Sequence, residues 1–252
     1  MKNKVSVAMA TYNGEKYIEE QIKSILSNLS SNDEVIISDD GSTDKTMEII
    51  NSFHDERIRV IDGPKKGVIK NFENAIKNCN GDYIFLSDQD DIWCSKKVTT
   101  ILNIFKNDSS TVLIVHDNKM IDAKLNTICD SFFRFRNVKN GLLNNIIKNS
   151  FIGCCMAFKK ELIEDIIPIP SNIPMHDQWI GLVALLNGNV RFIDEKLILY
   201  RRHDDNVSNF KKNRLPKMIM NRINIILNLR KYKKGERDYE WKNWLCYYLG
   251  RW

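Results

Sequence analysis

Proline and glycine are scarce, with five and eleven in 252 residues, too few for an all-β chain built on many tight turns. No uncharged apolar stretch reaches the roughly 18 residues that a membrane-spanning helix needs. The apolar run at Val5–Ala10 is shorter than the core of a signal peptide and reads as a buried strand. The six cysteines (Cys79, Cys94, Cys129, Cys154, Cys155 and Cys246) form no C-x-x-C pair, and none has a histidine at zinc-finger spacing. Reduced thiols and a cytoplasmic location are the expectation, and Asn206-Val207-Ser208 is then expected to stay unglycosylated. Internal repeats and low-complexity segments are absent, and no Gly-rich, Lys-bearing phosphate loop follows the first apolar run.

What is present is ordinary globular composition, 43% hydrophobic and 28% charged. Thirty-eight Lys+Arg against thirty-two Asp+Glu give a net +6, unevenly placed. Residues 211–252 hold twelve Lys/Arg and three Asp/Glu, a local +9 that leaves −3 for the first 210 residues. A nucleic-acid binder spreads its basic face over the folded body, so that class is set aside.

Short apolar runs alternate with amphipathic stretches, the pattern of an α/β chain. Strands are expected at Val5–Ala10, Glu34–Ser38, Arg57–Ile61, Tyr83–Ser87 and Val112–His116. Helices are expected at Tyr17–Leu29, Lys45–Phe53 (entered through Ser42 or Thr43 as N-cap), Asn71–Asn78 and Lys96–Phe105. In open α/β sheets the ligand crevice lies beyond the carboxyl ends of the strands. Those ends run into Thr11-Tyr12-Asn13, Asp39-Asp40-Gly41-Ser42, Asp88-Gln89-Asp90-Asp91 and His116-Asp117. Asp and Ser are common turn residues, but so many acids at one edge repel one another unless a cation or N–H donors offset them. A hard divalent cation, Mn²⁺ or Mg²⁺, suits such oxygen ligands and commonly serves a diphosphate.

Three ordered motifs now stand together: Ala10-Thr11-Tyr12-Asn13-Gly14, Ser38-Asp39-Asp40-Gly41-Ser42-Thr43-Asp44 and Gly81–Trp93 with its Asp88-Gln89-Asp90-Asp91 core. Over roughly residues 4–210 the sequence resembles the family-2 glycosyltransferases of GT-A fold, with Ala10 where Pro is usual. Asp88-Gln89-Asp90-Asp91-Ile92-Trp93, Met175-His176-Asp177-Gln178-Trp179 and Tyr200–Val207 are most similar to the rhamnosyltransferase-like branch, which uses nucleotide-sugar donors to build bacterial surface polysaccharides. The resemblance implies a Rossmann-like mixed sheet flanked by helices, with a nucleotide-binding part over about 1–117 and an acceptor part over about 118–210. It implies Thr11, Tyr12 and Asn13 at the nucleotide, with the Tyr12 ring stacking on the base. Asp40 is expected to accept N3–H of uracil or thymine, which favours a dTDP- or UDP-sugar. Asp90 is expected towards the ribose and Asp91 on the cation, with Lys70 as a phosphate contact. Arg202 and His203 are expected to close over the diphosphate or complete the metal's ligands. Asp177 is the expected general base of an inverting transfer, and it equally suits a helix N-cap.

The remaining segment, 211–252, reads as a basic helical extension. Leu215–Leu229 carries an apolar face, followed by Arg230–Lys234 and an aromatic run from Tyr239 to Trp252. Basic residues among Trp and Tyr suit the inner face of a membrane with anionic lipid; a helix packed on the catalytic domain or on a second subunit is the alternative. A saccharide or lipid-linked acceptor is expected. Competing readings are a nucleotidyltransferase, which the missing phosphate loop disfavours, and a non-catalytic sugar-nucleotide-binding module, which the joint presence of Asp40, Asp90, Asp91 and Asp177 disfavours.

Overall fold

The computed structural model describes residues 4–203, 206 and 215–233. Nine strands make one mixed sheet: β1 (Val5–Thr11), β2 (Glu34–Asp39), β3 (Ile58–Asp62), β4 (Tyr83–Ser87), β5 (Ile92–Trp93), β6 (Thr111–Asp122), β7 (Thr127–Cys129), β8 (Met156–Lys159) and β9 (Asn189–Arg202). The helices are α1 (Ile18–Leu26), α2 (Thr46–Asn51), α3 (Val68–Lys77), α4 (Lys97–Asn107), α5 (Phe132–Arg136), α6 (Leu142–Ile147), α7 (Ile163–Ile166), α8 (His176–Asn187) and α9 (Leu215–Lys233).

The sheet order is β3-β2-β1-β4-β8-β6-β9-β5, with β7 on β6. β3, β2, β1 and β4 run parallel. All seven residues of β1 are buried, as befits a parallel strand covered on both faces. Helix α1 buries Ile18, Ile22 and Ile25, and α3 buries Phe72, Ala75 and Ile76, all within the one core. The chain leaves β1 towards β2 and β3, then returns through α3 to β4 on β1's other side. The switch in direction opens a crevice at the carboxyl ends of β1 and β4, where Thr11 and Ser87 end their strands.

Helix α2 starts later than the sequence suggests. Asp44 Oδ1 accepts from Thr46 N at 3.0 Å and Thr46 Oγ1 at 2.5 Å, while Ser42 Oγ turns away to Asp39 Oδ2 at 2.6 Å. Asp44 therefore takes the capping work expected of Ser42 or Thr43. The strand expected at Val112–His116 runs on to Asp122, so the division expected near residue 117 falls inside β6 and both halves share one sheet. A boundary near Phe210 lies outside the described residues. All five described cysteines are free thiols, and no helix among the described residues is long and apolar enough to cross a membrane.

β8 is antiparallel to both neighbours and joins the two halves. Phe158, fully buried, stands opposite Ile84 of β4 and Leu113 of β6. Phe158→Ala removes that joint and leaves a cavity, and is expected to cost about 3–5 kcal/mol. A lower denaturation midpoint with unchanged slope in urea checks it.

Candidate active site

The crevice is a cavity of about 1150 Å³, and every motif found in the sequence contributes to its wall. At the end of β1, Thr11 is buried and its Oγ1 donates to Asp39 Oδ2 at 2.8 Å. Its carbonyl accepts from Asp40 N at 2.9 Å and Asn71 Nδ2 at 3.1 Å. Tyr12 follows with its ring 57% exposed at the cavity. The Gln89 amide holds the Tyr12 backbone from both sides: Tyr12 N donates to Oε1 at 2.9 Å, and Nε2 donates to the Tyr12 carbonyl at 3.0 Å. Residue 14 must be glycine for this clamp to close, because a Cβ there would lie 2.6 Å from Gln89 Oε1. A fixed backbone under an exposed ring is a ready platform for a planar base.

Asp40 lines the same wall, but its carboxylate already has work. Oδ1 accepts from Lys65 N at 2.6 Å and Oδ2 from Gly67 N at 2.9 Å. Both residues sit at left-handed φ, 55° and 82°. Asp40 thus pins the loop between β3 and α3, and only its remaining lone pairs face a ligand. Two expected nucleotide contacts lie outside the cavity wall. Asn13, at φ 48°, spends its side chain accepting from Thr43 N at 2.8 Å, so it ties two loops together. The Lys70 ammonium donates to Glu73 Oε2 and to the Ile169 carbonyl, both at 2.6 Å. The cations that do line the cavity are Lys65 and Arg136. Arg202 stacks over the Tyr200 ring at 5.8 Å and donates to its hydroxyl at 3.3 Å, while Tyr200 itself lines the cavity.

The acidic loop after β4 separates the expected metal ligands. Asp88 and Asp90 line the cavity. Asp91 is fully buried, and its Oδ1 accepts from Arg201 N at 2.9 Å. His203 belongs with Asp90 instead, Nε2 lying 2.8 Å from Asp90 Oδ2, which also accepts from Asn206 Nδ2 at 3.0 Å. Asp91 and His203 thus have different hydrogen-bond partners, Arg201 N for the first and Asp90 for the second. Asp91 groups with Asp88 and Cys154, their ligand atoms all within 4.8 Å of one another, and Asp91 Oδ2 is buried without a hydrogen-bond partner. Burial, then the charge of Asp90, pushes Asp88 up to about 7 and Asp91 well above the usual carboxylate range. An unsatisfied buried carboxylate oxygen between like charges fits a hard divalent cation. Burial keeps the Cys154 thiol protonated, a poor ligand for such an ion, so the carboxylates of Asp88, Asp90 and Asp91 are the groups that would hold it, with His203 beside Asp90.

Asp177 stands on the opposite wall at the start of α8, 9% exposed. It lies in the first turn of the helix, one residue beyond the start, and Met175 is the N-cap instead, with no side-chain capping bond. Asp177 accepts from its neighbour Gln178 N at 2.5 Å, and Asn149 Nδ2 lies 3.3 Å from the same oxygen. Burial raises its pKa to about 6 against these hydrogen bonds. His176, buried and stacked on Phe72 at 4.0 Å between centroids, also lines the cavity. Neither of its ring nitrogens has a partner, and burial drives it down to about 3, so it is neutral.

The chain matches the family model described as Glycosyl transferase family 2 over residues 6–167. It belongs to glycosyl transferase family 2. This glycosyltransferase is 35% identical over 216 residues to the dTDP-rhamnosyl transferase RfbG of Shigella flexneri, covering 79% of this chain and 72% of that one. It is 28% identical over 211 residues to an Escherichia coli enzyme named UDP-Glc:alpha-D-GlcNAc-diphosphoundecaprenol beta-1,3-glucosyltransferase WfgD, covering 82% and 80%. Among solved structures, S. aureus TarS 1–349 in complex with UDP-GlcNAc superposes with a TM-score of 0.70 at 21% identity, over 89% of this chain and 67% of that one. The mixed sheet flanked by helices is thus the GT-A fold.

Four residues of the glycosyltransferase's site carried no expectation. Gln89 sat unassigned within the acidic motif. Lys97 is fully buried, with Nζ donating to the Cys154 carbonyl at 2.7 Å and lying 4.0 Å from the Trp93 ring centroid. Arg201, 2% exposed, donates through Nε to the Asp90 carbonyl at 2.8 Å and through Nη2 to Glu20 at 2.5 Å. His176 was visible only as Asp177's neighbour.

The geometry separates Asp90 from Asp91 experimentally. Asp91→Ala strips a buried acceptor from Arg201 N and is expected to cost about 1–3 kcal/mol, read as a lower melting temperature, whereas Asp91→Asn keeps that acceptor and melts near wild type. Asp90→Ala is expected to spare the melting temperature more and to abolish the Mn²⁺ dependence of nucleotide binding in calorimetry.

Proposed function

We propose that this glycosyltransferase moves a sugar, rhamnose by its resemblance and its Shigella relative, from a dTDP- or UDP-linked donor to a hydroxyl of a saccharide or lipid-linked acceptor, with inversion, in the synthesis of a bacterial surface polysaccharide. One observation carries the reading: a single cavity joins the Tyr12 and Asp40 wall, the Asp88 and Asp90 carboxylates and the Asp177 carboxylate. The diphosphoundecaprenol-linked acceptor in the E. coli relative's name supports the lipid-linked alternative. Family membership leaves the nucleotidyltransferase reading without support.

In the proposed mechanism the base lies on the Tyr12 ring, with Asp40 at its polar edge. Lys65 and Arg136 face the diphosphate as fixed positive charges. A Mn²⁺ or Mg²⁺ ion at Asp88, Asp90 and Asp91, when bound, offsets the charge of the departing diphosphate. Asp177 takes the proton of the acceptor hydroxyl as that oxygen forms its bond to the anomeric carbon. The carbon–oxygen bond to the diphosphate breaks, its electron pair leaving with the nucleotide. One carboxylate suffices because no sugar–enzyme bond is made. Neutral His176 offers one N–H and one lone pair to hydroxyls in the cavity without adding charge beside the base.

Asp177→Asn is expected to lower turnover by about 10²–10⁴-fold while leaving UDP binding near wild type, and the wild-type product is expected to have inverted anomeric configuration by NMR. A loss of only a few-fold, or a retained anomer, would remove Asp177 from the mechanism.

The base works ionised. Because burial raises Asp177 to about 6, turnover is expected to fall as pH drops through 6 and to level off above it. A pH–rate profile without that acid limb contradicts the assignment.

Calorimetry with UDP, dTDP and GDP is expected to rank GDP weakest, since a carboxylate at Asp40 accepts the N3–H of a pyrimidine. Tighter binding of GDP than of both others would overturn the donor class.

A further inference from the structure

Most large hydrophobic side chains left exposed among the described residues stand on three helices. Phe135 is on α5, Leu143 and Ile147 on α6, and Leu215, Ile219 and Ile223 on α9, each 42–68% exposed. Helix α9 packs on the catalytic domain by its other side, with Ile225 and Leu229 buried and Tyr232 Oη donating to Asp165 Oδ1 at 2.8 Å. Asn224 and Asn228 donate to Asn172. Residues 215, 219 and 223 repeat at four-residue spacing and share one stripe. Arg222, beside that stripe, donates to the Ile147 carbonyl, so the stripe adjoins the exposed residues of α6.

The charge of this surface is one-sided. Residues 131–151 and 215–233 hold nine Lys/Arg and no Asp or Glu, in a chain with 32 Asp+Glu. The surface is also continuous with the cavity: Phe132 and Arg136 of α5 and Met218 of α9 line it. Asp130, at the edge of this surface, faces Arg134, and Arg230 is buried, so the cations left exposed still outnumber the acids. Exposed apolar side chains among an excess of cations match the boundary of an anionic bilayer, with acyl chains for the first and phosphates for the second. A second copy of the chain fits poorly, because a two-fold interface would set this cationic surface against itself.

We propose that α5, α6 and α9 form the face by which the enzyme lies on an anionic bilayer, with the cavity opening at the water–lipid boundary. This puts membrane contact on the catalytic domain rather than on residues 234–252 alone. Its use, bringing a lipid-linked acceptor to Asp177, rests on the proposed function; the binding itself does not.

The test is co-sedimentation of the full chain, without donor, with vesicles of phosphatidylcholine alone or mixed with phosphatidylglycerol. Wild type is expected to pellet with the mixed vesicles at low salt, to be released by added salt, and to ignore pure phosphatidylcholine. A variant combining Leu143→Asp, Ile147→Asp, Ile219→Asp and Ile223→Asp is expected to lose about tenfold or more in partitioning, while keeping wild-type melting and UDP affinity because all four side chains are exposed. The proposal is overturned if wild type stays in the supernatant, or if the variant pellets as wild type does. It is equally overturned if sedimentation velocity shows a wild-type dimer that the variant breaks without vesicles. Loss of UDP binding in both proteins would count against the glycosyl-transfer site and leave the vesicle result to stand by itself.

Discussion

Four carboxylates, Asp88, Asp90, Asp91 and Asp177, converge at one end of a sheet whose interior excludes water, and their mutual repulsion is the constraint the surrounding structure answers. Burying acids side by side costs free energy unless N–H groups or cations oppose it. Arg201 supplies much of the opposition, with its own N–H on Asp91, its guanidinium on the Asp90 carbonyl and on Glu20, and its plane 4.7 Å from the Tyr17 ring centroid. Lys97 adds a buried ammonium below the loop, lowered to about 8 by that burial. What remains uncompensated, the raised carboxyls of Asp88 and Asp91, is what a divalent cation would neutralise. Stability and ligand preference come from one electrostatic arrangement.

The two walls of the cavity are built differently, as their tasks require. The Tyr12 side is tied by hydrogen bonds between loops: Tyr12 to Gln89, Asn13 to Thr43, Asp40 to Lys65 and Gly67. The Asp177 side is tied by packing, with His176 on Phe72, and by Trp179 Nε1 donating to the Ile166 carbonyl at 2.9 Å. A tied loop carrying the Tyr12 ring is thereby set against a wall whose unpaired imidazole and buried carboxylate keep hydrogen-bonding capacity.

Much of the fold was legible in the sequence because β1, β2 and β4 are short unbroken apolar runs, and because acids cluster where those runs end. β9 was not legible: it carries Asp194, Glu195 and Lys196 in mid-strand, where its register against β6 shifts, so no simple alternation marks it. The cluster of acids could be read, but not that Asp90 lines the cavity while its neighbour Asp91 is buried against Arg201 N. Their surroundings differ because the chain bends at Asp90 and enters β5 only after Asp91, a local geometry that adjacent identical residues do not announce. The ion pairs of Lys70 were legible, since Lys70, Glu73 and Lys77 are spaced to pair along one helix face. Nothing in the sequence marks Lys97 as buried, because a lysine at the start of a helix is ordinarily solvated. The tail helix was foreseen, and one side of α9 does pack on the catalytic domain; the aromatic run beyond residue 233 lies outside the described residues.

The bond from Arg201 N to Asp91 spans 110 residues of chain, and it bears on the order in which the protein can be completed. A ribosome releases β1 to β4 and the acidic loop long before it releases the end of β9. Through that interval the loop's acids have neither Arg201 nor the β5–β9 pairing to hold them, and water is the better solvent for them. The nucleotide half can therefore collapse early around its apolar strands, but the catalytic pole stays open and hydrated until almost the last strand arrives. Closure of the acidic loop thus waits on β9, so two segments far apart in the chain are coupled through one long-range contact.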